Sequence, residues 1–163
     1  MFIEVTRVFG NLTRSQQIRQ FFVEIGGLSE LRRWLHCANR ELLFTSTGLL
    51  VNLMANTDTR VVFRNSETLE RLVSILEKHC EKDWNLAILI CQALWNFASD
   101  SPDIHSAFGP DNTPRILTAL VFLLDEERFF SDDIRGGETK SEEYQEWEDF
   151  AEIATNLLEK LEY

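Results

Sequence analysis

The sequence predicts an all-α solenoid, with about three stacked repeats of three helices each preceded by a leading helix. Three observations carry that prediction. First, an Asn-centred motif recurs as Phe9-Gly10-Asn11-Leu12, Leu50-Val51-Asn52-Leu53, Trp95-Asn96-Phe97 and Thr155-Asn156-Leu157-Leu158, its Asn residues 41, 44 and 60 positions apart. Second, an apolar register travels with it: Phe22, Leu28, Leu31 and Leu35 return as Phe63, Leu69, Leu72 and Leu76, each shifted by 41. Third, seven Gly and three Pro in 163 residues are too few turn-formers for an all-β chain. Periods of roughly 40–47 residues belong to arrays of stacked helices, in which one unit cannot cover its own apolar face.

The elements follow in order. Residues 1–12 read as one helix, apolar at Phe2, Val5, Val8, Phe9 and Leu12, in the register of the last helix of a truncated repeat. The first full repeat, residues 13–55, opens with Ile18, Phe21, Phe22 and Ile25 at helical spacing and stops at Gly26-Gly27. A second helix carries Leu28, Leu31 and Leu35; a longer third starts near Arg40 and runs through Leu42, Leu43, Leu49, Leu50 and Leu53. Residues 56–99 repeat the plan, with Ser66 and Asp83 as N-caps, because a short side-chain oxygen there accepts an orphan backbone N–H. The terminal repeat, residues 100–163, is expected to open at Ser101-Pro102 and again at Asn112-Thr113-Pro114, each Pro at a first helical position. Residues 125–140 are an acidic insertion, expected to be a loop that is mobile and dispensable for folding. The last helix, from Ser141, places Trp147, Phe150, Ala154, Leu157 and Leu161 on one stripe.

Gly26-Gly27-Leu28-Ser29-Glu30-Leu31 followed by Leu50-Val51-Asn52-Leu53 resembles the armadillo repeat, across nearly the whole chain. The Gly pair stands only in the first unit; Glu67-Thr68 and Asn112-Thr113 replace it later. Arg7-Val8-Phe9-Gly10-Asn11-Leu12-Thr13-Arg14-Ser15 is similar to stretches in the armadillo repeat-containing proteins of ciliary axonemes. The resemblance implies a non-enzymatic scaffold or adaptor in the cytoplasm, cilium or axoneme, whose third helices line a protein-binding groove. Truncation of the leading repeat leads us to expect the carboxyl-terminal part of a longer solenoid. Its amino-terminal face would then self-associate or receive upstream repeats.

Carried onto this chain, the groove comprises Asn11, Asn52, Gln92, Asn96, Glu152 and Asn156. In the nuclear-import receptors that groove pairs each Asn with a Trp one turn earlier. Here the positions four before are Arg7, Gly48, Gln92 and Glu152, and Trp95, beside Asn96, is expected on another side of its helix. The import-receptor reading is therefore rejected. An Asn near a helix end has a structural role open to it as well, bonding the neighbouring repeat's backbone, and one amide can do both.

The charge is uneven. Residues 1–65 balance to +3 and residues 66–163 to −14, for −11 overall. An acidic chain is a poor ligand for phosphate backbones, so no nucleic acid partner is expected. A protein with a basic surface fits better, meeting Asp132, Asp133, Glu142, Glu143, Glu146 and Asp149. The plainer alternative is a solvated face that stabilises a helix start and caps the stack. No apolar run approaches the roughly 20 residues a membrane span needs, so no membrane partner is expected either.

Cys37, Cys80 and Cys91 lack metal-ligand spacing, and Cys91, within an apolar run, reads as a buried free thiol. His36 and His79 close two second helices and are expected to cap the last carbonyls. No catalytic constellation, cofactor motif or phosphate loop stands out. The alternative function is a regulatory subunit or exchange factor docking on a GTPase or enzyme through the same groove.

Overall fold

In the computed structural model, residues 1–64, 67–136 and 141–162 are described, the last five of the second stretch by backbone alone. Ten helices and no strand occur among them. They are α1 (Phe2–Leu12), α2 (Gln16–Glu24), α3 (Gly27–Leu35), α4 (Arg40–Leu53), α5 (Thr57–Arg64), α6 (Thr68–His79), α7 (Trp84–Ala98), α8 (Ile104–Leu123), α9 (Glu126–Gly136) and α10 (Glu142–Glu162).

The long helices α1, α4, α7 and α10 pack side by side in that order. The sequence explains why. Along α4, Leu42, Leu43, Leu49, Leu50 and Leu53 are all buried, as are Leu86, Ala87, Ile90, Cys91, Leu94 and Phe97 along α7. These inner helices are apolar on more than one side because each meets a neighbour on both flanks. Helices α3 and α6 pack against α4 and α7 with the repeated stripes Leu28, Leu31, Leu35 and Leu69, Leu72, Leu76. On α10 the predicted stripe of Trp147, Phe150, Ala154, Leu157 and Leu161 is buried throughout.

The Gly26-Gly27 turn uses its two glycines differently. Gly26 takes the left-handed conformation, φ 78°, which ends the α2 segment. Gly27 lies so close to Phe22 that a Cβ would sit 2.6 Å from its ring and 2.7 Å from its carbonyl oxygen. Asp83 caps α7 as predicted, accepting from Leu86 N at 3.3 Å, and Asn39 caps α4 by accepting from Leu42 N at 2.9 Å. The expected Ser66 cap lies outside the described residues.

Several expectations fail locally. Pro102 does not open a helix: Asp103 is the N-cap of α8, accepting from His105 N at 3.0 Å and Ser106 N at 3.2 Å. The cap outcompetes the proline because a carboxylate can take two orphan donors at once. Nor does the terminal repeat's second helix begin at Asn112-Thr113-Pro114. The break falls at Gly109 (φ 77°, ψ 169°), so Pro110 holds the first helical position and Pro114 lies inside. Neither the His36 nor the His79 imidazole bonds a helix carbonyl among the described residues; both are exposed at the ends of their helices.

The largest correction concerns the insertion. Residues 126–136 form α9, with a kink at Phe130 (φ −133°, ψ 28°). Phe129 and Phe130 turn inward onto Trp84, with ring centroids 5.3 and 6.2 Å from it. Phe130 also meets Tyr144 at 5.0 Å and Trp147 at 5.6 Å, and Phe150 lies 5.6 Å from Trp84. Acidity dominates the composition of this stretch, but two adjacent aromatic rings are enough to dock a single turn.

Candidate functional site

The packed row is held in register by polar links at each junction. Asn52 on α4 donates from Nδ2 to the Gly10 carbonyl of α1 at 2.7 Å. Asn96 on α7 donates to the Val51 carbonyl of α4 at 3.2 Å. Gly10 and Val51 each immediately precede an Asn, so one repeating bond joins successive helices. Additional links cross the row elsewhere: Arg7 to Glu41, Arg40 to Asp83 through two bonds at 2.7 and 2.6 Å, and Asn85 to Glu146 at 2.9 Å. The pairing with Asp83 raises the Arg40 pKa despite partial burial.

The two inner Asn residues thus spend amide donors on the fold. Asn11 and Asn156, at either end of the series, are exposed and make no side-chain hydrogen bond among the described residues. Asn156 borders a depression of about 370 Å³ between α7 and α10, lined by Val51, Gln92, Trp95, Asn96, Ile153 and Asn156. Of the six groove residues read from the sequence, this depression brings together Gln92, Asn96 and Asn156. Asn11, Asn52 and Glu152 lie outside its lining.

Trp95 was missed, and the reason is geometric. Adjacent residues on a helix point about 100° apart, so Trp95 and Asn96 do not share a stripe, yet both reach one depression because α10 approaches α7 across it. Its indole face is already covered: Lys160 Nζ stands 4.0 Å from the ring centroid. An aromatic surface that holds a lysine is therefore present, and the lysine comes from this chain.

The acidic surface separates into three parts. Glu142, Glu143 and Asp149 are exposed on α10. Glu146 is half-buried and engaged by Asn85, so it serves the fold first. The side chains of Asp132 and Asp133 lie outside the described residues. At the opposite end, the apolar face expected from the sequence is shifted. Val5 and Phe9 pack into the core, Phe9 with its ring 4.9 Å from Phe22, whereas Phe2, Val8, Leu12, Phe21 and Ile25 are each about half exposed.

Cys80 and Cys91 are buried, and burial pushes the Cys91 thiol up to about 12 and raises that of Cys80 well above its ordinary value. Among the described residues no three His, Cys, Asp or Glu side chains are grouped to hold a metal ion. No helix there is long and apolar enough to cross a membrane.

No family model matches the chain, and no solved structure matches it. It is similar to armadillo repeat-containing protein 2 of Homo sapiens, with 30% identity over 161 residues. The Bos taurus protein of that name is 29% identical over 160 residues, and the Mus musculus one 27% over 161. Each alignment covers 98% of this chain but only 18% or 19% of the relative, so the chain spans about a fifth of the length of these proteins.

Proposed function

The chain belongs to the armadillo-repeat family, and we propose that it is a non-enzymatic protein-interaction segment whose contact surface is the face between α7 and α10. One observation carries this reading. The repeating Asn bond is satisfied inside the fold at Asn52 and Asn96, whereas Asn156 presents an uncommitted amide at the edge of an open depression. An amide that both donates and accepts suits the backbone of a docked segment. The exposed carboxylates Glu142, Glu143, Asp149 and Glu152 on the same helix favour a partner with a basic surface.

The finer setting we propose is scaffolding in assembly or transport of ciliary axonemal structures, on the similarity of Arg7–Ser15 to axonemal armadillo proteins. A Gln92→Arg, Asn156→Arg variant would fill the depression with charge while leaving the core stripes untouched. Affinity capture from ciliated cells with wild type and variant tests the reading. Axonemal proteins retained by the wild type and lost by the equally stable variant are the expected result. Retention of nucleotide-free GTPases instead would favour a regulatory or exchange role, and equal capture by both proteins would refute the surface.

A further inference from the structure

Away from the α7–α10 face, the carboxyl end of α3 and the amino end of α6 enclose a cavity of about 500 Å³. Arg32, Arg33, His36 and Arg71 line it, with Glu67 the only carboxylate among the described lining residues and Leu35 beside them. This concentration of positive charge stands out on a chain of net charge −11.

The arginines here are not spent as others in the chain are. Arg40, Arg60 and Arg115 each reach a carboxylate across a helix junction: Asp83, Asp100, and the pair Glu70 and Glu77. Arg71 instead donates from Nε to the Leu35 carbonyl at 2.7 Å, and it forms no ion pair among the described residues. Burial without a counter-charge lowers its pKa. Arg32 also lacks an ion pair among the described residues, and its Nε is buried with no hydrogen-bond partner. Only Arg33 is paired, to Glu30 at 3.0 Å, and that side chain is largely exposed. Guanidinium groups half withdrawn from water without an anion are costly, and an incoming anion would remove that cost.

We propose that this cavity binds a phosphoryl group carried on a side chain of a partner protein. Planar guanidinium forks match phosphate oxygens through paired hydrogen bonds, and a dianion calls for more than one of them. The positive end of the α6 dipole is offset by the carboxyl end of α3, whose Leu35 carbonyl Arg71 already holds, so the guanidinium groups carry the attraction. The cavity is large enough for a phosphorylated side chain with some flanking backbone. An extended polyanion, such as nucleic acid or a charged bilayer, would meet the acidic remainder of the chain, whereas a single phosphate meets three arginines against the one carboxylate of Glu67. This inference is independent of the α7–α10 reading.

The probes are inorganic phosphate and the peptide acetyl-Ala-phosphoSer-Ala-amide, titrated at constant ionic strength while the Arg Nε–H signals are followed by NMR. Signals of Arg32 and Arg71 should shift saturably with both probes, those of Arg115 should stay in place, and the unphosphorylated peptide should do nothing. Arg71→Gln also removes the bond to Leu35, so an Arg32→Gln, Arg33→Gln variant carries the mutational arm. It should melt like the wild type and bind the phosphopeptide at least about tenfold more weakly, the effect of losing charge-assisted hydrogen bonds. Absence of any shift, or equal binding by the variant, overturns the site. Shifts caused only by vesicles containing a phosphoinositide would overturn the protein partner in favour of a lipid.

Discussion

Truncating Phe130 to alanine tests whether α9 belongs to the core. The ring is 5% exposed and lies within 5.0–6.2 Å, centroid to centroid, of Trp84, Tyr144 and Trp147. Deleting a buried phenyl costs about 3–5 kcal/mol through lost transfer energy and the cavity left behind. Three aromatic neighbours, each contributing about 0.5–1.5 kcal/mol beyond burial, put this site toward the upper part of that range. For a chain of this size each kcal/mol moves the melting temperature by about 2–4 °C, so Phe130→Ala should melt roughly 6–20 °C below wild type. Thermal unfolding followed by far-ultraviolet circular dichroism reads this directly. Leu72→Ala serves as the control for an ordinary core deletion, and Glu127→Ala, exposed on the same helix, should leave the melt unchanged. If Phe130→Ala melts within a degree or two of wild type while Leu72→Ala falls, the aromatic ring contributes nothing and the docked helix is refuted.

Four further outcomes are expected. Asn96→Ala should lose about 0.5–1.5 kcal/mol in urea denaturation by orphaning the Val51 carbonyl, while exposed Asn156→Ala should cost nothing measurable. Asp100, held below its ordinary pKa by its hydrogen bond to Arg60, contributes stability that is full above its unfolded value and lost as pH falls through its folded one. Melts below about pH 4 should therefore show a shallower acid loss in Asp100→Asn than in wild type. Iodoacetamide at pH 8 should label the partly exposed Cys37 while Cys80 and Cys91 resist until urea is added, as peptide mass mapping would show. Sedimentation should detect self-association that a Val8→Ser, Leu12→Ser, Phe21→Ser variant abolishes; a wild type that stays monomeric at high concentration would show that this apolar face has no affinity for itself.

The repeats were legible because stacking makes one apolar register recur. Leu31, Leu72 and their equivalents meet the same surroundings in each unit, so a shift of 41 residues exposes them. What failed depends on local competition or on contacts distant in the chain. Pro102 lost the helix start to Asp103, a contest between two plausible signals at adjacent positions. Phe129 and Phe130 looked isolated in an acidic run because their aromatic partners lie on other helices, Trp84 on α7 and Tyr144 and Trp147 on α10. The candidate site divided the same way. Its Asn series follows the repeat and could be read, but only coordinates separate the bonds of Asn52 and Asn96 from the open amide of Asn156. The α3–α6 arginine cavity gave no sequence signal, since Arg32 and Arg71 are brought together only by packing.

The bonds from Asn52 to Gly10 and from Asn96 to Val51 also bear on how such an array holds its curvature. Leucine surfaces tolerate sliding by fractions of a turn, because dispersion and hydrophobic burial carry little direction. A side-chain amide does not: beyond about 3.2 Å, or badly misaligned, the bond is gone. At the α1–α4 and α4–α7 junctions a directional bond of fixed reach therefore helps set the axial offset, alongside the core packing. Small offsets accumulate along a solenoid into bend and twist. Lengthening Asn52 by a single methylene, as Gln, would change the offset between α1 and α4 without altering any side chain that lines the α7–α10 depression.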